Sequence, residues 1–261
     1  MNHAFCEAQE TFHTSPLQIQ TAEIRSTSPI DETIDAFNPS VIAEITTFAL
    51  QFSCTYPYAL KELRQVDAKI ATSTPICHIQ AEVFKSGDDI SSFTAIGGGL
   101  SRRFHKFAIG MEYRLLVHKQ AEGTTYKSSF SRVGMHVNPS KKFTIAMALQ
   151  NVEARRMRYY TTEVDIPSFV VFGMKWDSRF VVLQTEVEKY WDRDPTIKLA
   201  ATIKTPKAVF GSVGIKVRKS LAQPSAGVGV QTKHIMIDAA ISYHTQLGIS
   251  SGAMLSLNNL W

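Results

Sequence analysis

Residues 107–118 read Phe-Ala-Ile-Gly-Met-Glu-Tyr-Arg-Leu-Leu-Val-His. Taken alternately, Phe107, Ile109, Met111, Tyr113, Leu115 and Val117 make one face. Ala108, Gly110, Glu112, Arg114, Leu116 and His118 make the other. A period of two marks a strand whose faces meet different surroundings. The second face is not rich in the Lys, Glu and Thr that water favours. Its small residues, with one Glu, one Arg and one His, predict the lining of a narrow interior.

The same alternation recurs along the chain. It predicts strands over 46–56, 68–74, 76–86, 92–104, 107–118, 126–137, 142–152, 168–176, 179–190, 196–204, 207–218, 225–232, 234–244 and 250–260. Most approach the ~9–11 residues that cross a bilayer obliquely. Tight turns are expected at Thr74-Pro75, His105-Lys106, Asn138–Lys141, Asp177-Ser178, Thr205-Pro206 and Thr232-Lys233. Longer links are expected at 57–67, 87–91, 119–125, 153–167, 191–195, 219–224 and 245–249. Short and long connections alternate, as in an up-and-down barrel with turns at one rim and loops at the other. The predicted fold is an all-β, up-and-down antiparallel transmembrane β-barrel of about 14 strands. Residues 41–261 form the barrel. Residues 1–40 form an N-terminal extension, polar and irregular, with one short helix around Asp31–Phe37 and a turn at Asn38-Pro39-Ser40.

Alternation alone does not say which face meets lipid, so the opposite face decides. In 142–150 it is Thr144, Ala146, Ala148 and Gln150, against Phe143, Ile145, Met147 and Leu149. The apolar faces carry no charge, whereas Lys or Arg there would cost ~2–4 kcal/mol at a bilayer midplane. Small, mixed faces suit an enclosed lumen. Glu112, Arg114, Arg132, Lys198 and Asp238 then face one another inside as a structural polar network. Aromatics at strand ends, among them Tyr56, Phe104, Tyr126, Trp176, Tyr190 and Tyr243, fit interfacial girdles. The chain ends in alternation that runs to Trp261, similar to the C-terminal signal of bacterial outer-membrane barrels.

Composition excludes several classes. The formal charge is +5 over 261 residues, with the cations dispersed and no nucleic-acid motif. Cys6, Cys54 and Cys77 have no metal spacing and do not make a disulfide framework. The mean hydropathy of −0.07 comes with no apolar run near the ~20 residues of a membrane helix. No secretory signal pattern opens the sequence given, and this is the main support for a soluble β-rich binding module. The eight histidines form no HExxH pair, Gly97-Gly98-Gly99 lacks the Lys of a phosphate loop, and no nucleophile elbow occurs. Glu188, Asp192 and Asp194 read as a solvated acidic loop. Neither a cofactor nor an enzymatic activity is expected.

Ala36-Phe37-Asn38-Pro39-Ser40 resembles the Asn-Pro-Ala element of the FadL/PorV superfamily of outer-membrane barrels. Val137-Asn138-Pro139, Leu149-Gln150-Asn151 and Ile166-Pro167-Ser168 resemble loops of the Bacteroidota branch around PorV and PorQ. So do Ile237–His244 and Leu247-Gly248 near the end. The resemblance spans residues 36–261. It implies a fourteen-strand barrel in the outer-membrane lipid, with an N-terminal hatch centred on Asn38, Pro39 and Ser40. It implies either passage of a small hydrophobic ligand or a type IX secretion accessory that docks a protein partner. Loop 153–167 is the candidate partner surface, with Arg155, Arg156, Arg158, Tyr159 and Tyr160, since Arg and Tyr favour interfaces.

Overall fold

The computed structural model describes residues 15–28, 34, 37–120, 123–160, 162–206 and 208–258. The strands of its first half are β1 (Phe48–Tyr56), β2 (Gln65–Ser73), β3 (His78–Gly87), β4 (Ser91–Phe104), β5 (Phe107–Gln120), β6 (Thr125–Ser140), β7 (Phe143–Gln150), β8 (Arg156–Tyr159) and β9 (Thr162–Asp165). Then come β10 (Phe169–Asp177), β11 (Val181–Tyr190), β12 (Thr196–Lys204), β13 (Val209–Arg218), β14 (Leu221–Gln231), β15 (Ile235–His244) and β16 (Gly248–Asn258). Fourteen of them close an antiparallel barrel, with β7 paired to β10 and β1 to β16; β8 and β9 form a separate hairpin. The closing register runs from Ala49 opposite Asn258 to Tyr56 opposite Ser251. Closure pairs every barrel strand on both sides, so over the paired length the wall satisfies its own backbone groups without water.

The faces fall as the alternation requires. Ile109, Met111, Tyr113 and Leu115 of β5 are outward and exposed, while Ala108, Glu112 and Arg114 are inward and buried. In β12, Ile197, Leu199 and Ile203 point out, and Lys198, Ala200 and Thr202 point in. The outward apolar belt is inverted relative to a water-soluble barrel, which hides that face. Leu199, near the middle of β12, gives a direct test. Leu199→Arg is expected to destabilise the bilayer-embedded barrel by ~2–4 kcal/mol, read as a lower urea midpoint for loss of the fast-migrating folded band on unboiled gels. An unchanged midpoint would mean that this face does not meet lipid.

Several boundaries differ from expectation, for local physical reasons. A link is expected over 219–224 and a strand over 225–232, yet β14 starts at Leu221 and the link shrinks to residues 219–220. Pro224 pairs with Ile215 of β13, but β14 meets β15 only from Ser225 onward. Its missing N–H therefore costs no ladder bond. Short and long connections consequently alternate less cleanly than the sequence suggests. Strand β6 continues through Asn138-Pro139 to Ser140, with a register shift against β7 between Val137 and Ser140, the irregularity that a proline imposes on a ladder. Tyr126 and Tyr190 point inward and are buried, so they do not join the outer girdle. Tyr56, Phe104, Trp176, Phe180 and Tyr243 do stand exposed on the outside.

The interior is occupied by the chain's own N-terminal stretch. Residues 15–28 and 37–43 are almost all buried. Two short regular pieces lie in this inner segment: helix α1 (Pro16–Gln20) and a 3-10 turn, Pro39–Glu44. Ser15 caps α1, its Oγ accepting from the Gln18 N–H at 3.2 Å, and Pro16 opens the first turn. The sequence reading missed α1. The helix expected around Asp31–Phe37 lies mostly outside the described residues, as do Ala36 and the terminal Trp261.

Candidate functional site

The inner segment is seated by a gap in the wall. Gly110 of β5 and Gly134 of β6 are cross-strand partners. A Cβ on Gly134 would stand 1.9 Å from Asn38 Oδ1, and one on Gly110 would stand 2.5 Å from the Pro39 carbonyl carbon. Two glycines on adjacent strands thus make the hollow for the Asn38-Pro39 turn. Asn38 is wholly buried. Its Oδ1 accepts from Ser40 N (3.0 Å) and Ser40 Oγ (2.8 Å). Its Nδ2 donates to the carbonyls of Ser26 (3.1 Å), Met135 (3.3 Å) and Met147 (3.4 Å). One amide therefore ties two points of the inner segment to two strands. His136 continues the contact, with Nδ1 3.0 Å from Ser40 Oγ and Nε2 2.8 Å from Glu44 Oε1. Burial pushes the Glu44 carboxyl up, but the His136 hydrogen bond and the Arg103 guanidinium outweigh it and hold it at about 2.

Across the lumen, the segment meets a buried charge cluster on β11–β13. Lys198 Nζ lies 2.9 Å from Glu186 Oε1, 2.9 Å from Glu188 Oε2 and 2.7 Å from the Glu23 carbonyl. Arg25 Nη1 donates to Glu188 Oε2 at 3.0 Å, and Lys216 Nζ to Glu23 Oε2 at 2.8 Å. Glu186 Oε2 accepts the main-chain N–H groups of Arg25 (2.8 Å) and Ser26 (2.6 Å). Three carboxylates (Glu23, Glu186, Glu188) thus balance three cations (Arg25, Lys198, Lys216). Such a cluster is tolerable only while every member keeps its partners.

A second cluster lies on β3, β5 and β6. Arg114 Nε donates to Glu112 Oε1 at 2.7 Å, and its Nη2 is 2.5 Å from Glu82 Oε1. Arg132 Nη1 reaches Glu112 Oε2 at 3.4 Å, and its Nε donates to Gln150 Oε1 at 2.9 Å. The Arg132 guanidinium lies 4.0 Å from the centroid of the Phe37 ring, which stacks on Phe169 at 5.2 Å.

Above these groups is a cavity, part of it open to solvent. Its floor is Phe37, Arg25, Arg114 and Arg132; its walls include Phe84, Phe93, Phe130, Phe169 and Tyr190. Its roof comes from residues 151–168, through Met157, Tyr159, Ile166 and Pro167. The roof has a structural cause. β7 ends at Gln150 and pairs with β6 only from Arg132 onward, so the β6 segment above Arg132 has no β7 partner. The β8–β9 hairpin covers that notch. Ser128 Oγ donates to the Arg156 carbonyl at 3.0 Å, and Glu153 Oε2 accepts from Ser131 N at 3.1 Å. Asn151 Nδ2 clamps the base of the loop to the Ile166 carbonyl at 2.8 Å and to Ser168 Oγ at 2.9 Å. On the far side, Tyr159 OH meets His118 Nδ1 at 2.8 Å, and the His118 ring stacks on Phe93 at 3.9 Å.

The residues expected to form one lumen network are therefore divided. Glu112, Arg114 and Arg132 meet in one cluster, and Lys198 belongs to another. Asp238 pairs separately with Gln20 Nε2, at 3.4 Å. Glu188, read as part of a solvated loop, is buried beside Lys198. In loop 153–167, Arg155, Arg156, Arg158 and Tyr160 are exposed, while Tyr159 turns in to the cavity. Arg156 and Arg158 are occupied by Asp165 (2.7 Å) and Glu163 (3.1 Å). The cavity aromatics were missed, although their parity was legible: Phe84 shares the inward parity of Glu82, Phe130 that of Arg132, and Tyr190 that of Glu188.

The barrel fold is shared with solved structures. The fold superposes on the CymD monoaromatic hydrocarbon channel with a TM-score of 0.68 at 9% identity, covering 94% of this chain and 97% of that one. The Pseudomonas putida toluene transporter TodX gives 0.68 at 8% identity, covering 93% and 96%. A Pseudomonas aeruginosa FadL homologue gives 0.63 at 12% identity, covering 94% and 97%. At these identities the likeness is one of fold. No protein-family model and no curated protein matches the sequence.

Proposed function

We propose that the chain is an outer-membrane channel that admits a small hydrophobic solute, aromatic rather than long-chain, into the roofed cavity above its inner segment. The observation that carries this reading is the cavity. It is apolar and aromatic on its walls, a surface suited to ring stacking, and it lies inside a barrel whose outside is a lipid belt. The similar folds of a monoaromatic hydrocarbon channel and a toluene transporter support it. The inner segment then acts as a plug or hatch, contributing Phe37 and Arg25 to the cavity floor. Loop 151–168 acts as a roof. A secretion-accessory role of the PorV/PorQ kind finds less support, since Arg156 and Arg158 are paired within their own hairpin.

The test is equilibrium binding of toluene by the detergent-purified barrel, followed through intrinsic fluorescence, together with toluene entry into proteoliposomes. The wild type is expected to bind and admit it. Phe130→Ala, which removes one wall ring, is expected to weaken binding roughly tenfold with the folded gel band unchanged. Equal binding by Phe130→Ala, or none by the wild type, would remove the cavity from the function.

A further inference from the structure

We infer that the outward face of β3–β6, just above the apolar belt, binds the phosphates of an anionic membrane lipid through Lys85, Lys119 and Lys127. The inference rests on the barrel standing in a bilayer and is independent of what the cavity holds.

On β3 the outward series runs Ile79, Ala81, Val83, Lys85; on β5 it runs Met111, Tyr113, Leu115, Val117, Lys119. On β6 it rises from Met135 and Val133 through Ser131 and Ser129 to Lys127. Each series passes from apolar to cationic toward the loop rim, where lipid headgroups begin. All three lysines are exposed. The only carboxylates in the sequence of β3–β6 are Glu82 and Glu112, and both are buried on the lumen side. In the β3–β4 turn, Asp88 Oδ1 accepts from its own Ile90 and Ser91 N–H groups, and Asp89 is exposed.

The register groups the lysines. Lys85 is opposite Thr94, Thr94 opposite Val117, and Val117 opposite Lys127. Lys119 is opposite Thr125, which makes Lys119 and Lys127 a diagonal pair on one face, roughly 7–8 Å apart. Lys85 stands roughly 14 Å along the wall from Lys127, three strand spacings away. One phosphate placed between Lys119 and Lys127 relieves their mutual repulsion, and the hydroxyls of Thr125 and Ser129 lie on the same face. A second phosphate on the same headgroup reaches toward Lys85 and Thr94. Lysine suits this as a strongly hydrated point charge on a flexible stem. The opposite arc of the rim is built otherwise. There Lys219 is paired with Asp194 at 2.7 Å, and Lys189 Nζ donates to the Arg193 carbonyl. Among the described residues Lys85, Lys119 and Lys127 have no such partner.

The experiment reconstitutes the full chain in phosphatidylcholine nanodiscs doped with bisphosphorylated lipid A, monophosphoryl lipid A or phosphatidylglycerol. Retained lipid is then read by native mass spectrometry after detergent extraction. The wild type is expected to retain bisphosphorylated lipid A in preference to phosphatidylcholine. K85Q/K119Q/K127Q is expected to lose that retention roughly a hundredfold. The all-arginine triple should keep it, and K141Q/K142Q/K233Q at the other rim should not alter it. Equal retention by the glutamine triple and the wild type, or no preference for phosphate over phosphatidylcholine, would overturn the site. Failure of the wild type to enter nanodiscs would overturn the membrane reading beneath it, while the toluene measurement in detergent would stand unaffected.

Discussion

Gly134→Leu is expected to leave the barrel folded and to open it. The inner segment has no room beside a side chain at this position, since even a Cβ would lie 1.9 Å from Asn38 Oδ1. Overpacking costs about 1–3 kcal/mol where neighbours can shift, and here the neighbour is a buried amide that also holds Met135 O and Met147 O. The strand can keep its register, because Gly134 Cβ would point into the lumen and leave the ladder untouched. The weaker partner therefore moves. In planar bilayers the wild type should stay closed, and Gly134→Leu should show resolved ionic conductance with a normal folded gel band. Gly98 provides the matched control: it lies on the outward parity of β4, with nothing nearer its Cβ position than 3.9 Å. Gly98→Leu should remain closed. A closed Gly134→Leu barrel, or an equally open Gly98→Leu barrel, would show that the Asn38-Pro39 seat does not hold the lumen shut.

Lys198→Met should have the largest effect on stability. Lys198 is fully buried and bridges Glu186, Glu188 and the Glu23 carbonyl. Methionine fills similar volume but leaves three carboxylates facing two cations. Removing one partner of a buried pair costs about 3–5 kcal/mol. The loss should reach docking of the inner segment, because the Glu23 carbonyl loses its donor and Glu186 and Glu188, which hold Arg25, are left in excess. Protease cleavage of the N-terminal stretch should thus begin at much lower urea than in the wild type, while the barrel band persists. Adding Glu188→Gln should restore most of the difference by returning the cluster to balance. If the double variant is no better than the single one, the cost is lost packing and not charge.

How far the sequence was legible depended on what each residue's neighbours were. Strand faces could be read because alternation is local: Ile109 and Glu112 declare opposite sides without reference to any other strand. The strand number followed for the same reason. Groupings across the lumen could not be read, since they depend on register and barrel diameter. Lys198 and Asp238 share the inward parity of Glu112, yet they stand against different parts of the inner segment. Helix α1 gave a weak signal, five residues with one cap. The hairpin β8–β9 was hidden because its partner is a notch, and the notch arises only from the unequal heights of β6 and β7. Gly110 and Gly134 looked like ordinary small lumen residues; their pairing across two strands gives them meaning.

The inner segment also sets an order of assembly. Apart from the closing pair, neighbouring barrel strands follow one another in the chain, the longest link being residues 151–168 between β7 and β10, whereas Gln20 reaches Asp238 across 218 residues, Glu23 reaches Lys216 across 193 and Arg25 reaches Glu186 across 161. Contacts of such sequence separation form late, because the chain entropy of closing the loop is lost before they contribute. The inner segment, which precedes the wall in the chain, is thus the last to find its place. The wall must exist, with β11–β15 already aligned, before the segment meets a balanced set of charges. Until then Glu186, Glu188 and Lys198 line a water-filled bore, so the newly closed barrel is an open conduit that seals itself afterwards.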